Sequence, residues 1–259
     1  MSNTEMNTKQ GHWILAKMGK KVLRPGGKEL TQKLINGLGI NTEDTVVEFA
    51  PGLGYTAALT LKKSPRSYTG VELNEEAAAI LRKKIVGPNK NIIIGNASRS
   101  TLQNEYADKV YGEAMLTMNA DHRKSEIIKE AHRILKKDGL YGIHELCLMP
   151  NEIAKDTKQE IQKELANAIK VNARPLTNNE WSSLLEAEGF TVLEVGNNPM
   201  HLLEKKRVLD DEGFFRTLKI VFNIMTHPKA RQRIMAMRKV FRKYEEHLGA
   251  VMIIAKKNT

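Results

Sequence analysis

The chain has 259 residues, 41% of them hydrophobic and 27% charged, so it contains enough apolar material for a globular core. Its single cysteine, Cys147, excludes an internal disulfide and a multi-cysteine zinc site, and it fits a reducing, cytoplasmic compartment. The net charge of +11 favours an anionic partner or a basic solvated surface. The chain start lacks the apolar run of a secretory signal, and no run of roughly 18 apolar residues predicts a membrane span.

Apolar residues at helical spacing predict two short helices within residues 1–40, a segment that we expect to form an N-terminal helical cap. The first helix lies between Trp13 and Val22, and the Pro-Gly-Gly sequence at 25–27 stops it. The second helix spans 30–38, where leucines and isoleucine recur every three or four residues.

From residue 45 the sequence changes to short β-branched runs that alternate with helical segments. This alternation is typical of βαβ units and predicts a mainly parallel sheet. The three isoleucines at 92–94 form a continuous apolar run, as in a strand that is buried on both faces. The predicted strands are 45–50, 68–73, 91–95, 109–115 and 139–148, and the predicted helices are 55–63, 75–85 and 125–136.

Beyond Pro150 the sequence predicts two further helices. The segment 152–171 carries apolar residues on one face only. Thr177 and Glu180 have the spacing of a capping box, which predicts a helix start, and Gly189 marks the end of that helix.

An insertion of about 50 residues separates two final strands, predicted at 190–195 and 250–255. Its first helical part, 214–225, is apolar nearly all round, so it requires a covering surface. Residues 204–246 hold 12 Lys+Arg and 6 Asp+Glu, which is more than half of the positive excess. The insertion is therefore interpreted as a lid or as an interaction surface, including that of a possible homodimer.

The most informative motif lies at the end of the first predicted strand, where Glu48 begins the sequence Glu-Phe-Ala-Pro-Gly-Leu-Gly. Its glycines permit a tight turn and a close approach to a ligand, and the next helix offers free amides at its start. Glu72 ends the second strand about 20 residues later, where a carboxylate can accept hydrogen bonds from ribose hydroxyls. A carboxylate at Glu48 disfavours a pyrophosphate and suits a cofactor with a positive amino group.

Four segments resemble, in order and spacing, the motifs of class I S-adenosylmethionine-dependent methyltransferases. Glu48-x-Ala50-x-Gly52-x-Gly54 resembles the first motif, which lies along the methionine part of the cofactor in that family. The position of Glu72 matches the acidic residue with which family members hold the ribose.

Gly95-Asn96-Ala97 resembles the third motif, which is usually Gly-Asp-Ala, and residues 133–141 resemble the structural turn before the fifth strand. The resemblance implies that Asn96 lies beside the adenine amino group and the Ala97 amide beside a ring nitrogen. The cofactor-binding residues implied are Glu48, Ala50, Gly52, Gly54, Glu72, Leu73, Asn96, Ala97 and Glu113.

The resemblance implies an α/β, Rossmann-like, doubly wound sheet of seven strands in the order 3-2-1-4-5-7-6, with the last strand antiparallel. N-terminal helices and helical lid insertions would accompany this sheet. The expected parts are a cap at 1–40, a cofactor-binding methyltransferase domain at 41–198 and 248–259, and a basic helical insertion at 199–247.

The acceptor is then expected beyond the carboxyl ends of strands 4 and 5, beside the cofactor methyl group. Glu113 and Glu145 are the candidate catalytic residues, as carboxylates that orient or deprotonate an amine or hydroxyl. Arg24 is placed to reach the cofactor carboxylate. The remaining candidate pocket residues are Met115, Met118 and His144.

Three functions remain open from the sequence. The first is methyl transfer to a small-molecule acceptor under a helical lid formed by 13–27, 152–171 and 200–247. The second is an RNA methyltransferase whose basic insertion holds phosphates. The third is a catalytically silent cofactor-binding protein.

The first motif also resembles rRNA adenine dimethyltransferases, but residues 111–116 lack the proline and aromatic residue that grip the base in those enzymes.

Overall fold

The computed structural model describes residues 10–258, which form a central eight-stranded sheet with helices on both faces. The strand order is β3-β2-β1-β4-β5-β8-β7, with β6 paired to β5 outside this path. Strand β8 runs antiparallel to β5 and β7, and all other neighbouring pairs are parallel. The predicted seven-strand order is therefore confirmed, with a two-residue strand added. The strands are β1 (Thr45–Phe49), β2 (Ser67–Glu72), β3 (Lys90–Ile94), β4 (Ala107–Glu113), β5 (Leu135–Leu148), β6 (Leu176–Thr177), β7 (Phe190–Pro199) and β8 (Leu248–Lys257).

The helices confirm most of the periodic segments and add one, α8, that the sequence pattern did not indicate. Within residues 10–258, no helix combines the length and the apolar character needed to cross a bilayer. The helices are α1 (Gly11–Lys17), α2 (Gly27–Gly37), α3 (Tyr55–Leu61), α4 (Glu75–Lys84), α5 (Asp121–Ile134), α6 (Lys155–Ile169), α7 (Asn178–Ala187), α8 (Lys205–Glu212), α9 (Phe214–Thr226) and α10 (Pro228–Lys243).

Local hydrogen bonds set several of these boundaries. The predicted capping box is present at the start of α7, where the Glu180 N–H donates to Thr177 Oγ1 and the Thr177 N–H donates to Glu180 Oε2. Strand β4 ends two residues before its predicted end, because Ala114 adopts a φ of 52° and its N–H donates to the His144 carbonyl. The chain thus turns out of the sheet directly after Glu113.

The two faces of the sheet carry separate hydrophobic clusters. On one face, α5 and α7 pack around Trp181, Phe190 and Tyr141. On the other face, α2 contributes Leu30 and Leu34, which pack with residues of β8 and α4. Helix α2 was predicted as part of a cap, yet it lies directly on the sheet.

A third cluster covers the carboxyl edge of the parallel strands. It joins α1, α6 and α10 to Leu146 and Leu148 at the end of β5. Ile14 of α1, Leu165 of α6 and Met237 of α10 are buried in it. We refer to α1, α6 and α10 together as the roof.

We expect Trp181→Ala to lower the free energy of unfolding by about 3–5 kcal/mol, because it empties a fully buried site and removes the bond from Trp181 Nε1 to the Leu146 carbonyl. Leu193→Ala on β7 is the control, since Leu193 is 55% exposed and its change is expected to cost less than about 0.5 kcal/mol. Urea denaturation followed by circular dichroism measures both. Equal costs for the two variants would contradict this account of the core.

Candidate cofactor and acceptor site

A cavity of about 500 Å³ lies between the roof and the carboxyl ends of β1, β2, β4 and β5. Its floor comes from the turns that follow these strands, and its upper wall comes from the start of α1 and from two residues each of α6 and α10. In an open α/β sheet, this edge is where ligands bind. The fold therefore places a large covered cavity at the edge that the sequence motifs predicted.

The turn after β1 presents backbone to this cavity. Ala50 and Gly52 both line it, and they have positive φ values of 52° and 58°. A Cβ atom added at Gly52 would meet only the Ala50 carbonyl oxygen, at 4.0 Å, so the space beside Gly52 is open. A ligand can therefore approach the main chain closely at this turn.

Glu72, at the end of β2, lines the same wall together with the exposed Leu73. Its Oε2 accepts a hydrogen bond from the Gly52 N–H and its Oε1 accepts one from the Asn74 N–H, both at 2.9 Å. Burial raises the pKa of Glu72, while these backbone hydrogen bonds favour the ionised form. Each carboxylate oxygen keeps a lone pair that can accept a hydroxyl hydrogen bond.

Glu48 differs from its prediction, because its side chain does not line the cavity. It points to the α2 and α3 side of the sheet, where its Oε2 accepts hydrogen bonds from the Tyr68 hydroxyl at 2.6 Å and the Tyr111 hydroxyl at 2.7 Å. Burial raises the pKa of Glu48 to about 7, although the two tyrosines lower it. Glu48 thus anchors the strands under the turn, and its side chain lies outside the cavity lining.

Three other predicted cofactor residues lie outside the cavity lining. Gly54 begins α3 with a φ of 81°, and a Cβ there would lie 2.8 Å from a Leu81 side-chain carbon. Asn96 is exposed beyond β3 and its Oδ1 accepts hydrogen bonds from Ser98, while Ala97 is buried in the core. The adenine contacts implied for Asn96 and Ala97 therefore remain a prediction.

Glu113, at the end of β4, is the centre of a buried polar cluster. Its Oε1 accepts hydrogen bonds from Thr31 at 2.6 Å and from His144 Nδ1 at 2.7 Å. Its Oε2 accepts one from Thr56 and lies 2.6 Å from Arg24 Nε in an ion pair. Burial by itself raises the pKa of Glu113, but the Arg24 charge and the His144 hydrogen bond outweigh it, and the pKa falls to about 2.

Arg24 and His144 hold the two sides of this carboxylate in different ways. Arg24 lines the cavity and its guanidinium lies 5.4 Å from the centre of the Tyr55 ring. His144 is fully buried behind Glu113, and its Nε2 lies 2.5 Å from the Pro25 carbonyl oxygen. The predicted acceptor-pocket position of His144 is therefore wrong, because the side chain faces α2 and not the cavity.

Glu145 has both oxygens occupied by the loop that follows β4. Oε1 accepts from the Met115 and Leu116 N–H groups at 2.9 and 2.8 Å, and Oε2 accepts from the Thr117 N–H and hydroxyl at 3.0 and 2.7 Å. This arrangement fixes a loop whose Met115 and Met118 line the cavity, as expected for pocket residues. Glu145 supports the floor of the site, and its bonds leave little capacity for the predicted catalytic role.

His12 lines the cavity from the first turn of α1 and was not predicted as a site residue. Burial lowers the pKa of His12 to about 4, so the imidazole is neutral at physiological pH. Its ring centre lies 4.8 Å from that of Trp13, which also lines the cavity. No sequence motif marks this histidine; the only signal was its position at the start of a segment predicted to cover the site.

Comparisons with known proteins agree with this geometry. A family described as a methyltransferase domain matches residues 47–143, which contain the turn after β1, Glu72 and Glu113. An uncharacterized protein of Haemophilus influenzae is 34% identical over 251 residues, covering 95% of this chain and 98% of that protein. The chain belongs to the class I S-adenosylmethionine-dependent methyltransferases. In this S-adenosylmethionine-dependent enzyme, Ala50, Gly52 and Glu72 of the predicted motifs line the cavity.

Two named methyltransferases are similar to this chain at lower identity, one in sequence and one in structure. Phosphoethanolamine N-methyltransferase of Plasmodium falciparum is 22% identical over 78% of this chain and 82% of its own length. Phosphoethanolamine N-methyltransferase 2 of Haemonchus contortus, solved with phosphomonomethylethanolamine and S-adenosylhomocysteine, has a TM-score of 0.75 and 15% identity over 97% of this chain and 58% of its own. At that identity, the structural likeness shows a shared fold.

The raised pKa of Glu48 predicts a pH-dependent difference between the methyltransferase and its Glu48→Gln variant. The folded protein holds this proton up to about pH 7, whereas the unfolded chain releases it near 4.5, so this group lowers stability progressively as pH rises between these values. We expect the variant to match the wild type at about pH 4.5 and to gain up to about 3 kcal/mol above pH 7, by denaturant titration. Glu75→Gln, at an exposed carboxylate, serves as control. If the free energies of unfolding of the wild type and Glu48→Gln changed in parallel with pH, the proposed effect of burial on the pKa of Glu48 would be contradicted.

The lowered pKa of His12 is measurable by proton NMR. We expect one histidine ring signal to titrate with a midpoint of about 4, well below the ordinary 6.5, because burial disfavours the imidazolium. His12→Asn should remove this signal and leave the other histidine signals in place. A midpoint near 6.5 for the signal that His12→Asn removes would show that His12 is open to solvent.

Proposed function

We propose that this methyltransferase transfers a methyl group from S-adenosylmethionine to a small-molecule acceptor inside the roofed cavity. The observation that carries the proposal is the cavity itself, which combines a ribose-type carboxylate and an open backbone turn with a helical roof.

We also propose a cytoplasmic location, because the free, buried thiol of Cys147 fits a reducing compartment.

The residues at one end of the cavity fit the cofactor. Glu72 offers carboxylate lone pairs to ribose hydroxyls, and the exposed Leu73 offers an apolar surface to a base. The turn at Ala50 and Gly52 has the open space that a close ligand requires. Arg24 forms an ion pair with Glu113 through Nε, and within residues 10–258 its guanidinium has no other ion pair. Its remaining N–H groups can therefore donate hydrogen bonds to a ligand carboxylate.

The other end of the cavity suits a small acceptor. Met115 and Met118 form part of the floor, and Leu165 and Met237 close it from the roof. His12 is one of the neutral polar groups that line the cavity. A neutral imidazole can accept a hydrogen bond from an ammonium or hydroxyl group. We assign to His12 the orientation of the acceptor, in place of Glu145.

When bound, the cofactor supplies an activated methyl group for in-line displacement. The protein therefore needs to hold the acceptor in line and to exclude water, and it needs no nucleophile of its own. The state of Cys147 agrees with the absence of a protein nucleophile. Burial raises the pKa of its thiol to about 12, so the thiol is not nucleophilic at neutral pH.

The RNA alternative has less support. Basic residues of α10 are paired within the protein, as Arg238 and Arg242 both bind Glu204 and Lys243 binds Glu160 and Glu164. Paired cations contribute less to phosphate binding than free ones. A steep loss of RNA affinity with salt, at micromolar protein, would favour this alternative over the small acceptor.

We expect Glu72→Ala to weaken S-adenosylhomocysteine binding by about 10- to 100-fold, because one or two hydrogen bonds of about 1–3 kcal/mol are lost. Isothermal titration calorimetry measures this change. Glu75→Ala is the matched control, as it removes an exposed carboxylate three residues away. Unchanged affinity in Glu72→Ala would remove Glu72 from the site, and absence of binding by the wild type would refute the proposed function.

The acceptor itself is open to direct assay. The two named relatives are phosphoethanolamine methyltransferases, so phosphoethanolamine and its methylated forms are the first compounds to test. Formation of S-adenosylhomocysteine with a small amine or alcohol, and its loss in His12→Ala with cofactor affinity retained, would support the assignment of His12.

A further inference from the structure

Helix α9 exposes a continuous apolar surface. Phe215 is 85% exposed and Phe222 is 66% exposed, which is unusual for aromatic side chains in a folded protein. At 100° per residue, the exposed apolar positions fall within an arc of about 120° on one side of the helix. We call this surface the α9 face; it consists of Phe214, Phe215, Leu218, Val221, Phe222 and Met225.

The opposite side of α9 is fixed to the protein. Ile220 is buried, and the Asn223 side chain donates a hydrogen bond to the Met18 carbonyl at 3.0 Å. Arg216, on the same side, lies 3.7 Å from Glu212 in an ion pair. The helix therefore has a defined orientation, and the α9 face is turned away from the core by these contacts.

The surroundings of the α9 face are basic. Five exposed basic side chains on α8, α9 and α10 define a basic rim, and none of these five has an ion pair or side-chain hydrogen bond within residues 10–258. The neighbouring Asp211 and Glu212 are turned inward, where Lys20 lies 3.8 Å from both. The basic rim consists of Lys205, Lys206, Lys219, Lys229 and Arg231.

We propose that the α9 face binds the surface of an anionic lipid bilayer. An amphipathic helix with aromatic and aliphatic residues on one side and lysines beside them is suited to lie in the interface, with its apolar side among the acyl chains. Helix α9 has 13 residues and is about 20 Å long, which suits a position along the surface. The basic rim adds attraction to anionic headgroups.

A second copy of the chain fits the α9 face less well. A twofold dimer brings the same surface of both copies together, so each basic rim would face the other. Across α8, α9 and α10, Asp210 is the one exposed acidic residue, so it offsets the repulsion between the five basic positions only in part. Charge complementarity thus favours an anionic surface over self-association.

The α9 face is joined to the roof of the cavity. Glu212, at the end of α8, accepts hydrogen bonds from the Lys21 and Val22 N–H groups at 2.7 and 2.8 Å, and Lys21 lines the cavity. Asn223 holds Met18 in the same connecting segment. Binding through α9 would therefore bring one wall of the cavity next to the bilayer.

Co-sedimentation with vesicles tests the proposal on the full-length protein. We expect binding to phosphatidylcholine vesicles that contain roughly one third phosphatidylglycerol, weak binding to pure phosphatidylcholine, and a decrease with added salt. Phe215→Glu combined with Phe222→Glu should lower the partition coefficient at least about 100-fold. Lys219→Glu combined with Lys229→Glu should lower it about 20-fold.

Leu193→Glu combined with Val86→Glu is the matched control, since both residues are exposed and apolar but lie outside insertion 199–247. We expect this pair to leave vesicle binding unchanged, and thermal unfolding curves check that all variants fold. Binding that does not depend on anionic lipid, or that survives the two phenylalanine changes, would overturn the proposal. A wild-type dimer in sedimentation velocity that these changes convert to a monomer would assign the α9 face to a second copy instead.

Discussion

The buried carboxylate of Glu113 is the constraint on which the site depends. It joins β4 to β5 through His144, to α2 through Thr31 and to α3 through Thr56, and it holds the segment before α2 through Arg24. A buried ion of this kind is tolerated only when its partners are complete, and removing one partner typically costs about 3–5 kcal/mol. The same interaction therefore closes the core and positions Arg24 at the cavity wall.

Most carboxylates at this edge of the sheet accept hydrogen bonds from other groups of the protein. Glu48 binds two tyrosines under the first turn, and Glu145 holds the loop after β4 by its backbone amides. Glu72 connects two turns and still faces the cavity. These structural roles agree with methyl transfer, because the cofactor brings the activated carbon. The protein then needs only to position the acceptor and to exclude water.

The positive charge of the chain has two different consequences in the fold. Arg238, Arg242 and Lys243 of α10 are used in ion pairs that attach the roof to Glu204 and to α6. Lysines around α9 remain exposed beside an apolar surface. The net charge of +11 is therefore distributed unevenly, between paired residues of α10 and exposed residues around α9, and only the packing reveals this distribution.

The sequence by itself determined the alternation of strands and helices, because strand and helix periods are local features. The sheet order and the family were implied by the resemblance of its motifs to those of the methyltransferases. Only the tertiary structure decided which carboxylates reach the cavity, since the direction of a strand side chain depends on register and on its partners. Glu48 and His144 were misplaced for this reason. His12 was missed because its burial and its neutral state arise from the packing of α1 against α6 and α10, which lie far from it in the chain.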